Sequence, residues 1–76
     1  MANKEIKKII HSISKIINEP VKKINMNSKS SDFNKWDSLA QIKIILEIEK
    51  IIKKRVQSSK VGELNSIKAI SNYIDN

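Results

Sequence analysis

Isoleucine recurs at three- and four-residue intervals near the start of the chain, and this spacing decides most of what the chain can fold into. Ile6, Ile9, Ile10, Ile13, Ile16 and Ile17 share one side of a helix, while Lys7, Lys8, His11, Ser14 and Lys15 turn elsewhere. The spacing predicts a first helix over Lys4 to Ile17. Asn18-Glu19-Pro20 ends it, because proline has no amide proton and pushes the preceding residue out of helical geometry. A second periodic stretch opens at Asp37 or Ser38, where Ser38-Leu39-Ala40-Gln41 has the spacing of a capping box. In it Leu39, Ile42, Ile44, Ile45, Leu46, Ile48, Ile51 and Ile52 cover about 240 degrees of a helical wheel, the pattern of a helix contacted from both sides. The remaining strip, Ala40, Lys43, Glu47, Lys50 and Lys54, is expected to face solvent, with Glu47 beside both Lys43 and Lys54.

Between these two helices, Val21 to Trp36 reads as a long connection, with Val21, Ile24, Met26, Phe33 and Trp36 as its expected anchors. Beyond Lys53-Lys54-Arg55, Val61 and Leu64 suggest one short helical turn. Asn65 or Ser66 then caps a last helix on which Ile67, Ile70, Tyr73 and Ile74 share a face. No strand alternation and no internal repeat are found. The expectation is an all-α fold over residues 1–76, a small bundle of three main helices plus a short third one.

Composition removes whole classes of function. The 76 residues contain no cysteine, one glycine and one proline, so disulfide frameworks, cysteine-based zinc sites and glycine-rich phosphate loops are excluded. His11 has no second histidine with which to build a metal site or a catalytic triad, and reads as a surface residue. Glu47 and Glu49 stand two apart on a helix and point in different directions. No catalytic activity is expected of the chain itself. No apolar run approaches the roughly 20 residues that span a bilayer, and no signal-peptide core is visible, so a cytoplasmic protein without a membrane span is expected. The net charge of +7 favours acidic partners. Its cations are scattered lysines with a single arginine, Arg55, so sequence-specific nucleic-acid binding is not expected. Isoleucine (16), lysine (14) and asparagine (8) supply half of the chain, a bias that an A- and T-rich coding sequence would produce by itself.

The segment Trp36-Asp37-Ser38-Leu39-Ala40-Gln41-Ile42-Lys43-Ile44-Ile45-Leu46-Glu47-Ile48-Glu49, at the junction of the long loop and the central helix, resembles the prosthetic-group site of acyl carrier proteins. The Trp36-Asp37-Ser38-Leu39 form looks like that of discrete carriers in polyketide, peptide or sugar-modifying pathways. The long first loop, the apolar register of the second helix, the short segment before Leu64 and the closing Ile67 to Ile74 fall in family order, so the likeness covers nearly the whole chain. The resemblance implies a monomeric carrier with Ser38 as the attachment point for 4'-phosphopantetheine, Asp37 as the acid beside it, and a separate phosphopantetheinyl transferase to load it. It further implies acyl or aminoacyl cargo held as a thioester, an acyl- or aminoacyl-loading enzyme, and downstream transferases. Leu39, Ile42 and Leu46 match apolar positions that touch partners in the family, where plain core packing is the competing reading. The chain departs from the family in charge: most carriers are acidic along the second helix, and here the matching positions read Ala40, Lys43, Glu49 and Lys50. Lys43 and Lys50 are thus expected partner-facing cations. The alternative is a small basic helical adaptor or nucleic-acid-binding protein without a prosthetic group, in which Ser38 is only a helix cap.

Overall fold

The computed structural model describes residues 3–75; of the 1–76 unit, residues 1, 2 and 76 lie outside the description. Four α-helices follow one another: α1 (Asn3–Ile17), α2 (Ser38–Ile52), α3 (Ser58–Val61) and α4 (Ile67–Asp75). Two single 3-10 turns, Val21–Lys23 and Ser30–Asp32, punctuate the long α1–α2 connection. Among the described residues the only β feature is one antiparallel bridge between Lys29 and Ser66. The fold is all-α, as the periodicity predicts.

The isoleucine face of α1 is the floor of the core. Ile9, Ile13 and Ile17 are fully buried, one per helical turn, and Ile6, Ile10 and Ile16 close the edges. Asn18 adopts a left-handed conformation (φ 57°), which asparagine tolerates better than most residues, and so ends the helix before Pro20. α1 packs chiefly against α2 and secondarily against α4. Ile44, Ile45 and Ile48 from α2, and Ile67 and Ile70 from α4, fill the space above it together with Leu64 and Val56. Burying such side chains stabilises the fold by about 1.5 to 3 kcal/mol each.

The wide apolar arc of α2 is not contacted all round. Ala40, Ile44, Ile45 and Ile48 are buried, whereas Leu39, Ile42 and Leu46 lie more than half exposed. Ala40, expected on the solvent strip, belongs to the core. The correction has a geometric cause: the buried residues of α2 span a sector of only about 140 degrees at 100 degrees per residue, and no element among the described residues covers the remainder. Glu47 is also placed differently from expectation, accepting a hydrogen bond from Ser12 Oγ of α1 (3.3 Å) and pairing with Lys50 (3.4 Å). α2 ends at Lys53, which takes the left-handed position (φ 59°, ψ 36°) that glycine usually occupies after a helix.

The α1–α2 connection wraps the core and is sewn down by polar groups. Ile24 and Trp36 are its buried anchors, and Phe33 stacks on Trp36 with centroids 6.4 Å apart. Val21 and Met26, expected as further anchors, are exposed. Their place is taken by Ser28, the one buried polar residue among those described, whose hydroxyl accepts from Asn25 N (2.9 Å) while its carbonyl accepts from Ile67 N (3.0 Å). Ser30 N donates to Asn65 O (2.8 Å), so the loop is fixed to the start of α4 through backbone atoms, beyond the reach of any side-chain pattern.

Candidate functional site

Asp37 is the residue that starts α2. Its backbone is extended and its carboxylate accepts from Ala40 N at 2.9 Å, satisfying a donor that the first turn would otherwise leave unpaired. Ser38 is therefore the first helical residue and not the cap, which corrects the capping-box reading. The physical reason is that a carboxylate competes well for that position and gains from the positive end of the helix dipole. Ser38 is exposed, and among the described residues its hydroxyl enters no hydrogen bond. The side chain that caps the helix and the exposed hydroxyl beside it are thus adjacent but distinct.

Gln41 does not reach back to the helix start either. Its Oε1 accepts from Trp36 Nε1 at 2.6 Å, and its Nε2 donates to Val61 O (2.7 Å) and Leu64 O (2.8 Å). One carboxamide so ties the loop residue Trp36, the first turn of α2, the end of α3 and the α3–α4 connection. The Trp36 indole, 5 % exposed, has its only polar atom satisfied by this contact. A shallow groove runs beside Ser38, lined by Trp36, Asp37, Gln41, Ile42, Val61 and Gly62 among others. Asp37 and Ser38 stand on its rim, and its wall is held by the Gln41 bonds.

The remaining residues singled out by the sequence fall into two groups. Leu39, Ile42 and Leu46 are surface residues of α2, so core packing does not account for them. Lys43 and Lys50 are exposed on the same helix. Glu49, also named at a family contact position, plays a structural part instead, since its carboxylate accepts from Val56 N at 2.8 Å and anchors the chain that leaves α2. His11 is exposed on α1, and among the described residues no three histidine or carboxylate side chains converge to hold a metal ion. Among them, too, no helix is long and apolar enough to cross a membrane. Sequence reading overlooked the Gln41 clamp; the signal was present in the pairing of a tryptophan with a glutamine five residues on, since a buried indole N–H needs an acceptor.

No protein-family model and no curated protein matches the chain.

Proposed function

We propose that the protein is a carrier of the acyl-carrier type, with Ser38 as the attachment point of a 4'-phosphopantetheine arm. The observation that supports this reading best is the state of Ser38: exposed at the first position of α2, its hydroxyl uncommitted, next to a cap that keeps the helix start in place without it. The order of elements agrees with the reading, with a long wrapped loop before α2, one short helix and a closing helix.

The residues fit the group. Attachment makes Ser38 Oγ the nucleophile toward the pantetheine-bearing phosphorus of coenzyme A. The Oγ–P bond forms, the P–O bond to adenosine 3',5'-bisphosphate breaks, and the hydroxyl proton passes to a base of the transferase. The phosphodiester left on Ser38 lies at a helix N-terminus, where anionic charge is tolerated, and Asp37 already places its own carboxylate there. The groove lined by Trp36, Ile42, Val61 and Gly62 would offer the first part of the arm a mostly apolar bed. The arm supplies a thiol that carries acyl or aminoacyl cargo as a thioester; this chain supplies the attachment oxygen, a rigid base and a surface for partners. The reactions themselves belong to the partner enzymes, among them a phosphopantetheinyl transferase and a loading enzyme.

The test is intact mass after incubation with coenzyme A and a broad-range phosphopantetheinyl transferase. Wild type gains the mass of one phosphopantetheine and Ser38→Ala gains none. An unmodified wild type under conditions that fully convert a control carrier would favour the basic adaptor or nucleic-acid-binding alternative instead.

A further inference from the structure

One face of α2 is left uncovered by the described residues. Leu39, Ile42 and Leu46 are 62 %, 55 % and 52 % exposed, and at 100 degrees per residue they lie within an arc of about 60 degrees. Three exposed large aliphatics in line on one helix are unusual for a surface already short of buried apolar area. The exposed Lys43 and Lys50 run along one edge of this stripe. The opposite edge carries no cation within the helix; it holds Ser38 and the half-buried Glu49, whose carboxylate is occupied by Val56 N. Glu47, the acid on the lysine edge, is half-buried between Ser12 and Lys50. Lys53, Lys54 and Arg55, all exposed, extend the positive charge past the end of the helix.

We propose that this face docks an acidic protein partner, one that presents an apolar helix or groove edged by carboxylates on the side that meets Lys43 and Lys50. The charge complementarity is directional. A bilayer is alike in all lateral directions, and helices that lie on it carry cations on both flanks and commonly aromatics in the apolar stripe. Here the cations within the helix, Lys43 and Lys50, line one edge, and the stripe holds none of the chain's three aromatics. A protein surface with its own polarity is what a one-sided row can orient. Association with a second copy is opposed by the net charge of +7 on each chain. The proposal deepens the carrier reading, in which these positions face partner enzymes, by giving the partner's charge, and it rests on that reading only for what the partner does; docking itself does not require Ser38 to be modified.

The experiment titrates the 15N-labelled protein with three probes. Two are soluble amphipathic helical peptides with the same leucine face, one edged with glutamate and its twin edged with lysine; the third is vesicles containing anionic phosphatidylglycerol. The glutamate-edged peptide is expected to shift the amides of residues 39–50 and to bind at least about tenfold tighter than its twin at low salt, a margin that narrows as salt screens the charges. In Lys43→Glu/Lys50→Glu the preference between the peptides reverses, and in Leu39→Ser/Ile42→Ser both bind weakly; all these side chains are on the surface, so dispersed spectra will show that the fold persists. Equal binding of the two peptides, no shift on α2 at millimolar peptide, stronger engagement of the face by vesicles, or self-association through it on concentration alone would each overturn the proposal. Failure of Ser38 to accept phosphopantetheine bears on the carrier reading and leaves these titrations unchanged.

Discussion

Replacing Gln41 by alanine removes three hydrogen bonds at once and loosens the wall of the groove beside Ser38. The bonds measure 2.6 Å from Trp36 Nε1, 2.7 Å to Val61 O and 2.8 Å to Leu64 O. A typical intramolecular hydrogen bond contributes about 0.5 to 1.5 kcal/mol net, so the three together set a range of about 1.5 to 4.5 kcal/mol. Val61 lines a groove that water can enter, which recovers part of the loss for its carbonyl. The indole N–H belongs to a residue only 5 % exposed and loses more when its acceptor is removed. The expected cost is therefore about 2 to 3 kcal/mol, in a domain whose entire stability is on the order of 4 to 11 kcal/mol. Urea denaturation of both proteins followed by Trp36 fluorescence, the chain's single tryptophan, reads the cost, and the native emission of the variant should already be shifted to the red. In a thermal melt the loss corresponds to a Tm lower by about 10 to 20 °C. A variant within about 0.5 kcal/mol of wild type, with unchanged emission, would refute the clamp.

Three further outcomes follow from the same geometry. Ile48→Ala, at a fully buried position, is expected to cost about 2 to 5 kcal/mol in chemical denaturation and Ile45→Ala nearly as much, while Ile42→Ala on the exposed face changes stability by less than about 0.5 kcal/mol. Because Asp37 and not Ser38 caps α2, Asp37→Ala costs about 0.5 to 2 kcal/mol and Ser38→Ala less than about 0.5 kcal/mol; equal losses in parallel melts would contradict the assignment. Lys53→Gly relieves a left-handed residue and is expected to raise stability by about 0.5 to 1 kcal/mol, since the strain removed exceeds the backbone entropy that glycine adds to the unfolded chain; a destabilised variant would show that the lysine side chain contributes something the backbone geometry does not reveal.

The parts of the molecule governed by local periodicity were readable from the chain alone. The isoleucines of α1 and the face of α4 follow directly from helical spacing, and both end up where that spacing puts them. What spacing could not supply was the identity of each neighbour. The apolar arc of α2 is a property of one helix, but how much of it is covered depends on how many other elements the chain possesses, so Leu39, Ile42 and Leu46 could be assigned to core or surface only once α1, α3 and α4 had been placed. Ala40 shows the converse, a small residue read as solvent-facing that sits where α2 comes close to its neighbours. The loop divided in the same manner: bulky Ile24 and Trp36 were legible as anchors, whereas Ser28 holds the loop through a buried hydroxyl and its backbone carbonyl. At the site, Asp37 and Ser38 were both visible, but their roles as cap and free hydroxyl were separable only from the donor that each does or does not accept.

If Ser38 carries the arm, peptide mapping will find it there. After incubation with coenzyme A and a broad-range transferase, tryptic cleavage behind Lys35 and Lys43 isolates Trp36 to Lys43, in which Ser38 is the only hydroxyl-bearing residue. The carrier reading predicts phosphopantetheine on that peptide alone, with fragment ions that place it on Ser38 and unmodified peptides everywhere else. A peptide that stays unmodified after exhaustive incubation, or modification found instead at other serines such as Ser30 and Ser31 of the preceding loop, would contradict it.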